Sequence, residues 1–315
     1  MAPTGAPLVV VGESLVDIVL DLEGNTIEAV GGSPLNVAVG LARLEVPTLF
    51  ITEVGDDEHG RRVVEHVRSS GAEITPTSVQ PGRRTATATA RLGADDRVSY
   101  EFDLAWELEA QELPELSGLH VGSLGASLSP GRPAVVDLAR QAAANDVFVS
   151  YDPNIRPAFL HERKQAWLDT LELAALSTLI KVSEDDLELL RPDESSVSPA
   201  RELLAGRCTE LVIITRAAAG AIAISDLFQL EVPAPPVELV DTLGAGDSFM
   251  SAVLAILTGW GIPATTPGGL GALDEDRVST LLGSAMTVAA VTCSRRGANP
   301  PTRSELPTTW PALQR

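Results

Sequence analysis

Three segments carry residues that could do chemistry: "DTLGAGDSF" (241–249), "GGSPLNVAVG" (31–40) and "YDPNIRP" (151–157). In the first, Gly244, Ala245 and Gly246 have almost no side chains, so backbone N–H groups there can approach a ligand closely. The apolar run from Phe249 to Leu257 then reads as a buried helix. Amides and dipole at a helix start favour an anion. Asp247 nevertheless stands in the middle of this anion site. A carboxylate opposes a phosphate there, and the spacing alone allows a mere helix-capping turn equally well.

In "GGSPLNVAVG", Gly31 and Gly32 let the backbone come near a ligand, and Asn36 offers donors and an acceptor. A polyhydroxyl compound needs such mixed groups, because each hydroxyl both donates and accepts. The plainer reading is a Pro-initiated helix with Ser33 as its N-cap. In "YDPNIRP", Pro153 and Pro157 stiffen a loop that aims Asp152, Asn154 and Arg156 at one region. By itself, a structural loop with a local salt bridge explains it as well.

The elements that would position these groups alternate. Strands are expected at Leu8 to Val11, 48–55, 118–124, 147–154 and 210–216, and helices at 31–44, 59–71, 132–146 and 162–176. That order predicts a parallel sheet covered by helices on both faces. Ligands of such sheets bind beyond the carboxyl ends of the strands, where Asp152, Asn154, Arg156, Ser183, Asp186 and Thr215 collect. Residues 84–106 break the rhythm: "RTATATARLGADDRVSYEF" alternates Thr and Ala, turns at "GADD" and extends again. This reads as a β-hairpin. With residues 13–30, which carry Glu13 and Asp17, it is expected to form a small sheet projecting from one 315-residue domain.

Composition removes several function classes. The net charge is −20, and Lys164 and Lys181 are the only lysines among 23 basic residues. No basic stripe exists for a nucleic acid. A phosphate ligand would have to be held locally by amides, a few arginines and a metal ion. No apolar run reaches membrane-spanning length, and the N-terminus has no basic leader, so a cytoplasmic protein is expected. Cys208 and Cys293 are isolated and read as reduced core thiols, and the four dispersed histidines read as solvated or structural. Neither lysine follows a glycine, which excludes a P-loop, and Phe249 stands where a dinucleotide fingerprint needs glycine.

Taken together and in order, "GESLVD", "GGSPLNVAVGLARL", "VGDDEHG", "LHVGSL", "YDPNIRP", "KVSEDDL", "DTLGAGDSF" and "RRGANPP" resemble the ribokinase-like PfkB family of sugar kinases, and within it the bacterial fructokinases. The resemblance spans nearly the whole chain. It implies a ribokinase-like three-layer α/β fold with a mostly parallel sheet and a β-lid formed by about 13–30 and 84–106. It also implies transfer of the γ-phosphoryl of ATP, with Mg2+, to a hydroxyl of a free sugar, D-fructose first. Kinases for 2-keto-3-deoxygluconate, ribose, tagatose phosphate or a nucleoside are the rivals, and a silent sugar-binding relative is a more distant one. Asp247 is then the general base for the attacking hydroxyl, beside an anion hole of Gly244, Ala245 and Gly246. Asp17, Gly32 and Asn36 match sugar-site positions, Arg156 matches a basic substrate-binding position near the phosphates or sugar, and Thr215, Ala217 and Gly220 match the nucleotide-binding loop. Asp241 and the carbonyl of Leu243 match a monovalent-cation site, implying K+, and pairing of lids between two copies implies a homodimer. Three positions depart from the pattern: Ala217 replaces a usual glycine, Ser183 and Asp186 replace Asn and Glu, and Met286 replaces an Asn near the adenine.

Overall fold

The computed structural model describes residues 5–20, 25–92, 98–265 and 268–311. Along the chain, β1 (Leu8–Val11) is followed by β2 (Leu15–Leu20), β3 (Thr26–Gly31) and α1 (Ser33–Arg43). Next come β4 (Thr48–Ile51), β5 (Val54–Gly55), α2 (Glu58–Ser69), β6 (Glu73–Ile74), β7 (Val79–Gln80), β8 (Thr87–Leu92) and β9 (Val98–Asp103). The middle of the chain supplies β10 (Gly118–Gly122), α3 (Ser123–Ser127), α4 (Arg132–Ala144), β11 (Val149–Asp152), α5 (Arg163–Ala174), β12 (Leu179–Ser183), α6 (Glu184–Leu190) and α7 (Val197–Leu204). It closes with β13 (Leu211–Thr215), β14 (Ala221–Ile224), β15 (Gln229–Val232), α8 (Ala245–Gly259) and α9 (Glu275–Cys293).

The central sheet runs β15-β14-β13-β12-β11-β10-β1-β4-β6 among the described residues. Its pairs are parallel from β12–β13 through β4–β6, whereas β14 and β15 are added antiparallel at one edge. Those two strands were not foreseen. The strand β1 shows why its sequence is apolar throughout: Leu8 and Val10 enter the core under α1, α8 and α9, while Val9 and Val11 enter the core under α4 and α5. Strands buried on both faces lose the polar alternation that exposed sheets keep.

A second sheet, β3-β2-β8-β9, joins the two segments that were expected to pair. The strand β2 lies antiparallel to β3 and parallel to β8. The "GADD" turn falls outside the described residues. This sheet is tied to the body at its base: the Asp57 carboxylate accepts from the Thr85 amide (2.9 Å) and hydroxyl (2.6 Å). A T-shaped contact between Phe102 of β9 and Phe159, in the loop after β11, links it to the body again at 5.0 Å. Cys208 and Cys293 are free and half-buried, not core residues as expected. Among the described residues, no helix is long and apolar enough to cross a membrane.

Candidate active site

The helices α1 and α8 pack along one another, and their N-termini bring together two of the three segments singled out in the sequence. The approach is close because Gly40 faces Ser251, with no room for a Cβ between them. Gly244 is the N-cap of α8 at φ 73°, a left-handed conformation that favours glycine. A Cβ there would also lie 2.6 Å from that of Ala298, so the turn needs glycine on two counts. The first turn then presents Ala245, Gly246 and Asp247. The Ala245 amide already donates to the Thr242 carbonyl at 3.2 Å.

Asp247 is buried at 7% exposure and held by both oxygens. Ser33 Oγ donates to Oδ1 at 2.6 Å, and Asn36 Nδ2 donates to Oδ2 at 2.7 Å. Ser33 therefore is not the N-cap of α1, as its position suggested. Gly32 takes that place at φ 113°, without any side-chain cap, and the Ser33 hydroxyl points across to α8. Sequence reading missed this because a serine before a helix ordinarily caps it.

Behind the turn stands Lys181, another residue whose role was missed. Its Nζ lies 3.0 Å from Asp152 Oδ2, with both side chains almost wholly buried. A Cβ on Gly246 would be 3.2 Å from that Nζ, so the ammonium sits against the first turn of α8. Burial opposes its charge, but Asp152, Asp186 and Asp247 outweigh this and hold the lysine above its usual range. Burial likewise pushes Asp152 up to about 6, against the pull of Lys181. Asp152 Oδ1 has no hydrogen-bond partner. The available signal was a lysine inside an apolar strand, "TLIKVS", because lysine is almost never buried unless paired.

Asp17 lies on β2, half-buried, and burial raises its carboxyl while the Arg156 charge lowers it. Arg156 itself is exposed, in the loop after β11. Ser183 and Asp186 form a capping box on α6, and Asp186 Oδ1 also accepts from the Ile155 amide at 2.7 Å. The two residues thus anchor the "YDPNIRP" loop to α6. Thr215 ends β13 in register with Ser183, the Arg216 amide donates to the Gly220 carbonyl at 2.8 Å, and Ala217 adopts φ 45°. That conformation explains why glycine is usual at position 217. Gly220, at φ 94°, turns the chain into β14, and Met286 is buried in α9. Asp241 accepts from the amides of Leu243 (3.0 Å) and Gly297 (2.8 Å), which hold its carboxyl below the usual range.

Glu13 was noted only as part of an extended segment, yet it is buried beside the same site. Its Oε2 accepts from the Gly125 amide at 2.6 Å, but burial dominates and pushes it up to about 7. The unfolded residue titrates near 4.5, so between 4.5 and about 7 the folded chain keeps a proton that the unfolded chain has lost. Stability is therefore lost as pH rises through this window, by up to about 3 kcal/mol. Glu13→Gln is expected to reduce that slope in melting curves recorded from mildly acidic to mildly alkaline buffer. An unchanged slope would contradict it. Asp152 and Asp17 act in the same sense and keep the slope from vanishing.

Comparisons with known proteins bear on the family and the fold. The model of the pfkB family carbohydrate kinases matches residues 6–305. A fructokinase of Klebsiella pneumoniae is 33% identical over 299 residues, covering 92% of this chain and 94% of the relative. Fructokinase-1 of Zea mays is 31% identical over 316 residues, 94% of each chain. Among solved structures, fructokinase from Vibrio cholerae O395 with fructose, ADP and calcium ion bound gives a TM-score of 0.77 at 22% identity, covering 93% of this chain and 94% of that one. Aminoimidazole riboside kinase from Salmonella enterica, with aminoimidazole riboside and an ATP analog, gives 0.72 at 24% identity, covering 93% and 95%. Such distant structures establish the ribokinase-like fold, and the family match does the rest: the chain belongs to the pfkB family of carbohydrate kinases.

Proposed function

We propose that this carbohydrate kinase transfers the γ-phosphoryl group of ATP to a primary hydroxyl of a free sugar, with D-fructose the preferred acceptor. The observation that carries the reading is the buried Asp247 carboxylate, fixed by Ser33 and Asn36 in the first turn of α8. Phosphoryl transfer asks for positioning, neutralisation of charge and a proton acceptor. Asp247 takes the proton of the attacking hydroxyl. The amides of Gly244, Ala245 and Gly246 face the transferring group, the long Ala245–Thr242 bond yielding to a phosphate oxygen. Lys181 adds a fixed positive charge behind them.

Asp17, Gly32, Asn36 and Arg156 form the sugar end, and the nucleotide lies along Thr215, Ala217 and Gly220. The small sheet covers the sugar and keeps water from competing for the phosphoryl group. Mg2+ entering with ATP would supply neutralisation of phosphate charge. The unpartnered Asp152 Oδ1 suits an ion that keeps most of its waters and needs one or two carboxylates. No group of three or more acidic, His or Cys residues among the described residues forms a ready-made metal cage. K+ would be held by Asp241 and the Leu243 carbonyl, and would stiffen the turn leading into α8.

The fructokinases among the relatives support fructose. The charge balance supports a neutral acceptor, since Asp17 and Glu13 already oppose Arg156. The test is a panel of ketoses, aldoses, sugar acids, sugar phosphates and nucleosides, each assayed in potassium and in tetramethylammonium salts. Fructose should give the highest kcat/KM, with faster turnover in potassium. A sugar phosphate or nucleoside turned over far more efficiently than every free sugar would refute the acceptor assignment. Equal rates in the two salts would refute the cation.

A further inference from the structure

We propose that Ser33 is a positioning residue for the base: its hydroxyl fixes the orientation in which Asp247 meets the attacking hydroxyl. The inference rests on reading Asp247 as the proton acceptor. A hydroxyl at a helix start normally accepts from a first-turn amide. Here it donates instead to Asp247 Oδ1 at 2.6 Å, across 214 residues of chain. A serine has one proton to give, and this one is spent on the carboxylate. Asn36, which holds Oδ2, keeps a second N–H and a carbonyl oxygen for a sugar hydroxyl.

The geometry is rigid on both sides. Ser33 is the first residue of α1 and is 5% exposed, and Pro34 follows it. Asp247 lies in the first turn of α8, which the Gly40–Ser251 approach locks against α1. The distance between the two groups is thus set by backbone rather than by flexible side chains. In the reaction, the acceptor oxygen bonds to the γ-phosphorus while the bond from phosphorus to the bridging oxygen of ADP breaks. The acceptor's proton passes to Asp247, and Ser33 keeps its own throughout. A donor on the carboxylate favours its charged form. The other charged groups that interact with Asp247 are Lys181 on β12 and Asp152 on β11, both of which also feel Asp186 on α6, and a change at Ser33 leaves all three in place.

The experiment compares wild type with Ser33→Ala and Ser33→Cys, the latter of similar size but a weaker donor. Kinetics with ATP and fructose are measured across the acid and neutral range, with a melting curve for each variant. For Ser33→Ala, kcat should fall about tenfold to hundredfold, as displaced reacting groups cost, while both KM values change less than about threefold. Ser33→Cys should fall between. A Ser33→Ala enzyme with wild-type kcat would overturn the proposal, as would one whose activity falls only in step with its stability or whose KM values rise as much as kcat falls. If Asp247→Asn is inactive while Ser33→Ala is normal, only the role of Ser33 fails. If Asp247→Asn is itself active, the reading of the base fails first.

Discussion

Asp247→Asn is expected to lower kcat by about 10²–10⁴-fold, roughly 3–5 kcal/mol of barrier, while the protein stays folded. Asparagine keeps the shape and can still accept one hydrogen bond, from Ser33 or from Asn36, but it can no longer receive the acceptor's proton. The loss should fall on kcat more than on either KM, because the interaction grows only as the hydroxyl gives up its proton. ATP affinity should survive or rise, since a negative charge beside the γ-phosphate has gone. The variant's melting curve separates this from a structural effect. A folded variant retaining more than about a tenth of wild-type kcat lies outside the range of a general base.

Lys181→Met should produce the largest loss of stability, on the order of 3–5 kcal/mol, the cost of breaking a buried ion pair by removing one partner. The residue left behind is Asp152, 1% exposed, whose Oδ1 already lacks a partner. The double variant Lys181→Met with Asp152→Asn removes both charges and should recover much of that stability, because paired removal avoids an uncompensated buried carboxylate. Activity should not return with it. The ammonium beside Gly246 is still missing, and on the proposed reading that charge faces the transferring group. Denaturant melts and kcat on the three proteins decide the matter. A double variant that regains both stability and turnover would make Lys181 purely structural.

The parts of the fold legible in the sequence were those with strong local signals. Apolar runs such as "LVVV" and "LVIIT" and the helix after Gly244 fell where expected, because buried strands and capped helices write themselves into short windows. The antiparallel strands β14 and β15 did not, since direction is set by pairing partners and not by the strand's own residues. The site divided the same way. Asp247 stood out because a carboxylate against a glycine turn is locally anomalous. Ser33 was misread because its local context fits a cap, while its actual partner lies 214 positions away. Lys181 and Asp152 are likewise meaningful only as a pair, formed across adjacent strands 29 positions apart. Ser183 and Asp186 stood out as departures from the family pattern, and their hydrogen bonds cap α6 and hold the loop bearing Arg156.

On the proposed reading the acceptor is the oxygen of a primary alcohol of a free sugar, whose proton Asp247 takes. The most direct measurement is phosphorus NMR of the products formed from ATP and fructose. The account predicts ADP and a phosphomonoester in equal amounts, the ester resonance split by the two protons of a CH2 group. Inorganic phosphate as the only product, or no ATP consumed with fructose while a phosphorylated sugar or nucleoside is converted, would contradict it.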